Sequence, residues 1–127
     1  MKESIYDRMT NAEIEVASVL KEMRIKWRYE HPIFVWDDSK RPRVWTPDFY
    51  LTHFGIYVEV CGSKKFDYEF RKKIYKANDY DVIFLHLYKK PSKWRYHLFK
   101  FLQLYTNYRN RELSKIKRNL NCYSTNE

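Results

Sequence analysis

Val44-Trp45-Thr46-Pro47-Asp48-Phe49-Tyr50-Leu51-Thr52-His53-Phe54-Gly55-Ile56-Tyr57-Val58-Glu59-Val60-Cys61-Gly62 is the stretch whose reading decides the fold. β-Branched and aromatic residues fill Val44 to Leu51 and Ile56 to Cys61, and Thr52-His53-Phe54-Gly55 separates them, so the pattern predicts two strands joined by a turn. Side chains alternate across a strand, which sends Ile56, Val58 and Val60 to one face and Tyr57, Glu59 and Cys61 to the other. Glu59 then stands inside an otherwise apolar strand. Asp48 falls near the middle of the preceding strand, straight after Pro47, which cannot donate to a ladder and marks an edge or irregular position. Two carboxylates on paired strands in apolar surroundings are costly unless their charge is compensated. A divalent metal ion would compensate it; the purely structural alternative has Asp48 ending a turn and Glu59 pairing with a surface Arg.

Carboxylate oxygens are hard ligands suited to Mg²⁺ or Mn²⁺, and Mg²⁺ typically takes one or two of them. Pro47-Asp48 followed by Glu59-Val60-Cys61 resembles the PD-(D/E)XK motif of the restriction-endonuclease-like nucleases, which usually have Lys where this chain has Cys61. More narrowly, Glu59-x-x-Gly62, then Tyr68-x-x-Arg71-Lys72, then the run Val82 to Leu87 resembles a branch related to the very-short-patch repair nucleases. In that branch the position two after the Glu need not be Lys. The resemblance spans roughly residues 10 to 90 and implies a metal-dependent DNA endonuclease with Mg²⁺ or Mn²⁺ on Asp48 and Glu59. It also implies the Val60 carbonyl as a further ligand and Glu13 as an auxiliary one, from the pattern Glu13-x-x-Val16-Ala17-x-x-Leu20. With Cys61 unsuited to orienting water or offsetting phosphate charge, Lys72 or Lys76 on the following helix, or Lys64 in the loop, would reach the scissile phosphate. Cys61 itself reads as a small buried hydrophobe, since a thiolate is a soft ligand and Mg²⁺ a hard ion.

A chain of 127 residues makes one domain with a real core. Residues 1–106 read as that domain, and 107–127 as a basic helical extension with a tail frayed from Asn119 onward. Aromatic residues make up 19% of the chain and Gly occurs twice, which excludes a disordered or low-complexity protein. No apolar run approaches a membrane span, and Met1-Lys2-Glu3-Ser4-Ile5-Tyr6-Asp7 has no signal-peptide core, so a cytoplasmic protein without membrane contact is expected. Cys61 and Cys122 form neither a disulfide framework nor a metal-ligand spacing, in keeping with a reducing compartment.

The net charge of +9 is unevenly distributed. Residues 1–60 hold nine Lys/Arg and ten Asp/Glu, whereas residues 61–127 hold sixteen and six. Metal-binding carboxylates therefore concentrate in the first half and phosphate-binding cations in the second, a balance that points to DNA as partner. Arg41, Arg43, Lys64, Lys65, Arg71, Lys72 and Lys73 are the candidate DNA contacts; keeping an aromatic-rich chain dissolved is the bland account of any one of them.

In chain order, Thr10-Asn11-Ala12-Glu13 opens a helix to about Met23, with Val16, Val19, Leu20 and Met23 on its apolar face. Thr10 and Glu13 also make a capping box, so capping and metal binding stand side by side as roles for Glu13. Residues 25–29 and 33–36 read as a strand that forms a hairpin with 44–51 across the turn at 37–42, and Glu30 as either a strand kink or a further carboxylate. Gly62 would permit positive φ or close approach of a substrate backbone. A helix from the N-cap Asp67 to about Asn78 places Phe70, Ile74 and Ala77 inward, and Val82 to Leu87 reads as a strand buried on both faces. Pro91-Ser92 opens a last helix whose Trp94, Leu98, Phe101, Leu102 and Tyr105 recur at helical spacing, as core or dimer surface.

The expected architecture is an α/β domain with a restriction-endonuclease-like core of helix, three-strand meander, helix and strand, followed by the C-terminal helical extension. Nicked, branched or mismatched duplex DNA would be its substrate, and cutting two strands would call for a symmetric homodimer. The other expectation is a catalytically inactive nuclease-fold module that binds DNA, alone or within a larger DNA-processing complex.

Overall fold

The computed structural model describes residues 4–64, 66–89 and 93–124, with side chains to residue 121. It is an α/β fold: an N-terminal helix, a mixed four-stranded sheet with a separate hairpin, and a long C-terminal helix. A short 3-10 turn, Ile5–Arg8, precedes α1, Asn11–Glu22. The Thr10 hydroxyl accepts the Glu13 N–H at 3.2 Å and so starts α1 where the sequence marks it. Val16, Ala17, Val19 and Leu20 are the face that α1 buries.

The strands are β1 (Trp27–Tyr29), β2 (Ile33–Trp36), β3 (Pro42–Trp45), β4 (Phe49–Leu51), β5 (Ile56–Cys61) and β6 (Val82–His86). The main sheet runs β1-β4-β5-β6, antiparallel except for the parallel β5–β6 pair, and β2 and β3 pair only with each other. The expected hairpin of 25–36 against 44–51 is therefore corrected. Glu30 takes φ +51°, which breaks the first strand, and Thr46-Pro47 breaks the second. Each half then finds a different partner: β1 joins β4, and β2–β3 folds out as its own ribbon. Asp48 consequently sits immediately before β4 and not in the middle of a strand.

The turn after β4 matches expectation, with Gly55 at φ +70° where a side chain would strain the backbone. Gly62 does not have positive φ, and a Cβ there would make an ordinary 3.7 Å contact with Ala12, so conformation does not demand glycine at that site.

Two layers cover the sheet. On one side α1 and α3 (Lys93–Ser124) close over Phe49, Leu51, Ile56, Val58, Ile83 and Leu85, with Trp94, Leu98 and Leu102 supplied by α3. On the other side α2 (Tyr68–Ala77) and the β2–β3 ribbon meet Cys61 and Phe84. The Asp67 side chain caps α2 by accepting the Phe70 N–H, as the sequence indicates. Its buried residues are Ile74 and Tyr75; Phe70 and Ala77 are exposed, correcting the expected inner face. The Asn78 carboxamide pairs with both the N–H and the C=O of Trp36, at 2.8 and 2.9 Å, and so fastens the ribbon to the end of α2.

The last helix is continuous for 32 residues, so helix persists past Asn119 up to Ser124, and residue 106 lies inside it. The Pro91-Ser92 cap and Lys65 lie outside the described residues, and Cys122 outside the described side chains. Among the described residues no helix is long and apolar enough to cross a membrane.

Candidate functional site

The site forms where α1 begins and where β4 and β5 bring their backbones together. Phe49 is in register with Val58, so one step further along the same pair sets Asp48 opposite Glu59. Each carboxylate is held by the other strand's backbone: Asp48 Oδ2 accepts the Val60 N–H at 2.7 Å, and Glu59 Oε1 accepts the Asp48 N–H at 3.2 Å. Pro47, which cannot donate, and the irregular backbone around it free the Asp48 N–H to turn to a side chain.

Burial raises the proton affinity of both acids. The Asp48 carboxyl is pushed up to about 7, first by desolvation and then by the Glu59 charge, against the Val60 hydrogen bond. Glu59 also lies above the usual carboxylate range; desolvation outweighs the Arg71 guanidinium that pulls it down. Arg71, on the first turns of α2, donates from Nη1 to Glu59 Oε2 at 2.6 Å, and its guanidinium lies 5.5 Å over the Trp45 ring. One cation thus faces one buried and one partly buried carboxylate. The Tyr75 hydroxyl is buried beside Glu59, and desolvation together with the Glu59 charge raises its pKa.

Glu13 reaches the same cavity from the first turn of α1. Its Oε2 accepts the Tyr29 hydroxyl at 2.6 Å and its Oε1 the Thr10 hydroxyl at 3.2 Å, so the carboxylate is shared between cap and site. The cavity, of about 670 Å³, is also lined by Glu30, Thr46, Gly62, Phe66 and Tyr68. Glu30 is therefore both the kink and a lining carboxylate, where it pairs with Arg8 at 3.1 Å. Among the described residues no three His, Cys, Asp or Glu side chains gather closely enough to hold a metal ion. Asp48 and Glu59 are together, and Glu13 stands apart as a third wall. Two carboxylates suit Mg²⁺, which keeps several waters of its own.

The sequence-derived cations separate by position. Arg71 lines the acidic cavity, whereas Lys72 and Lys76 line another hollow at the β6 side with Tyr75, Tyr80 and Phe84. Lys72 pairs with Glu69 at 3.4 Å and lies 5.3 Å over the Phe84 ring, away from the carboxylate pair. Lys64 and Lys73 are exposed. In the ribbon, Arg43 pairs with Asp37 at 3.2 Å, and the Arg41 N–H caps the same carboxylate at 2.8 Å. Of Val60 the structure defines the N–H, which is engaged with Asp48. Cys61 is fully buried and its thiol is pushed up to about 12, mainly by desolvation, so it stays neutral at physiological pH.

The structural alternative, with Glu59 pairing with a surface Arg, matches the geometry: Arg71, with its side chain 46% exposed, is that partner. The sequence did not single it out by number, and Tyr29 as the holder of Glu13 was missed. The spacing Tyr68, Arg71, Tyr75 on one face of α2 was the available sign for Arg71. Compared with protein-family models, curated proteins and solved structures, the chain finds no match.

Proposed function

We propose that the protein is a metal-dependent DNA endonuclease of the PD-(D/E)XK, restriction-endonuclease-like kind. The observation that carries this reading is the pair Asp48 and Glu59, locked to each other's strands, Glu59 buried and Asp48 partly so, and matched by a single guanidinium. The element order supports it: α1, the antiparallel run β1-β4-β5, α2 and a parallel β6, with the β2–β3 ribbon inserted after β1. Asp48 and Glu59 would hold Mg²⁺ or Mn²⁺, and Glu13 would orient water at the cavity wall. The ion supplies acidity to water at neutral pH and offsets charge on a phosphoryl group. Arg71 takes the part first given to a helix lysine: sharing its guanidinium between Glu59 and a phosphate oxygen would place a donor at the developing charge. The basic second half of the chain would draw in the DNA backbone.

A second reading rests on the same contact. If the Arg71–Glu59 pair serves only as a structural ion pair, then Cys61 marks a silent site and the protein binds DNA without cutting it. Incubating the protein with supercoiled plasmid and with a branched duplex, in Mg²⁺, Mn²⁺ and EDTA, separates the two. Metal-dependent cleavage that falls by about three orders of magnitude in both Asp48→Ala and Glu59→Ala is expected. DNA binding without cleavage in any metal, unchanged in the variants, would overturn the nuclease reading in favour of the second.

A further inference from the structure

Beyond Tyr68 the rim of the sheet opens a second cavity, of about 490 Å³, between the end of β6 and the first turns of α3. Its charged lining is Lys89, Lys93 and Lys100, with His86 and His97 beside them, and none of the described residues that line it is a carboxylate. Its remaining walls are the aromatic rings of Phe84, Trp94 and Tyr96. Trp94 and Phe84 are anchored in the core, while Tyr96 is 67% exposed and free to cover a ligand. The His86 ring lines one wall, with its Nδ1 atom buried away from solvent. Desolvation first, then Lys89, Lys72 and His97, hold the His86 imidazole below its usual range, with Glu69 alone opposing, so the ring stays neutral near pH 7. A concentration of cations on aromatic walls suits a ligand with an anionic part and a planar apolar part. A nucleotide has both.

The position of this cavity relates it to the acidic one. His86 is in register with Cys61 at the ends of parallel strands. Tyr68, which lines the acidic cavity, packs edge-on against the His86 ring at 5.4 Å and donates its hydroxyl to the Ser63 carbonyl at 2.7 Å. Tyr68 and His86 thus form a single partition between the two cavities.

We infer that the Lys89–Lys93–Lys100 cavity is a nucleotide subsite, which holds one flanking nucleotide of a single-stranded or splayed DNA segment whose neighbouring phosphate lies at Asp48 and Glu59. The inference rests on the nuclease-fold reading for the direction of the strand, and on the cavity alone for its ligand chemistry. The lysines take the phosphate, and the exposed Tyr96 ring stacks on the base. Such a subsite selects DNA with an unpaired nucleotide, since a base within a duplex stack cannot enter.

The test is fluorescence anisotropy of a labelled short single-stranded oligonucleotide in EDTA, which separates binding from any cleavage. Tyr96→Ala should weaken binding about tenfold through lost stacking. Lys93→Ala/Lys100→Ala should weaken it at least as much and flatten its salt dependence by roughly one phosphate contact per lysine. A control pair of equal charge in the first half of the chain, the exposed Lys21→Ala/Lys26→Ala, should change affinity by no more than about twofold. Circular dichroism melts of each variant establish that it is folded. Pocket variants that bind like the control pair would overturn the subsite. Free deoxynucleoside monophosphate that saturates the cavity as tightly as the oligonucleotide would overturn it as well, assigning the cavity to free nucleotides. Either failure leaves the metal and cleavage measurements with Asp48→Ala untouched, so the subsite and the nuclease reading fail separately.

Discussion

Opposite faces of β5 put the same backbone to different uses. Toward α1 and α3, Ile56, Val58 and Val60 join the larger apolar cluster, where burial contributes about 25 cal/mol per Å² and no charge has to be matched. Toward α2, Tyr57, Glu59 and Cys61 alternate with them, and Glu59 is buried to 5% exposure beside Asp48 with one guanidinium for company. The first face stabilises the sheet and gains nothing from pH or ions. The second stores unfavourable charge that a cation would relieve, the condition expected where binding or catalysis is sited. The two faces should therefore answer differently to acid, to metal and to mutation.

The largest expected effect is on the charged face. Asp48 holds its proton to about 7 in the fold against an ordinary value of 3.8, so between those limits the folded state binds more protons than the unfolded one. Stability then falls as pH rises from about 4 to about 7, by on the order of 4 kcal/mol for this group. Asp48→Asn keeps the shape and removes the titration. In EDTA the variant should be more stable than the parent at pH 8 by that order, with the gap closing toward pH 4, as read by urea denaturation. Adding Mg²⁺ should stabilise the parent and leave the variant where it was. Identical pH dependence in the two proteins would erase the contrast between the faces.

On the apolar face the effect is smaller and featureless. Leu85 on β6 is fully buried in the α1/α3 cluster, and Leu85→Ala should cost about 3 kcal/mol through lost transfer and the cavity left behind. That loss should be the same at pH 5 and pH 8, with or without Mg²⁺. A metal-sensitive loss would mean that the two faces are coupled through β5–β6, and would sharpen the comparison into a single cooperative unit.

Much of this division is written in the sequence. Alternation along Ile56 to Cys61 assigns the two faces, Thr10 and Asp67 announce their helices, and Asp48 and Glu59 stand out because carboxylates are rare among such neighbours. The ribbon was hidden although a kink at Glu30, just before His31-Pro32, was legible: a kink does not say that the two halves pair with different strands, as the positive φ at Glu30 makes them do. Apolar residues continue on both sides of it, so 25–36 reads as one strand. Arg71 was hidden among basic neighbours on α2, where only its spacing from Tyr68 and Tyr75 distinguishes the inward cation from the outward ones. The length of α3 was legible only in part: neither Pro nor Gly occurs from Lys93 to Ser124, so nothing in that span would end a helix, yet its polar end from Asn119 reads as a frayed tail where the helix in fact runs on.

Arg71 gives the smallest predicted effect and the most specific one. Its side chain is 46% exposed but that of Glu59 only 7%, so solvent screens the 2.6 Å pair from one side alone, and Arg71→Met should destabilise the protein by about 2 kcal/mol at pH 8. Methionine keeps an unbranched apolar stem against the Trp45 ring while removing the charge. Glu59 would then be buried without its counter-ion and would take up a proton more readily still, because desolvation already dominates its titration. The loss should therefore shrink as the pH is lowered and Glu59 becomes neutral. It should shrink also in Mg²⁺, if the ion binds where Asp48 and Glu59 face each other. Thermal melts of parent and variant across pH, with and without Mg²⁺, read both dependences at once. A loss that ignores pH and Mg²⁺ alike would make Arg71 a packing residue, and Glu59 would then need another source of compensating charge.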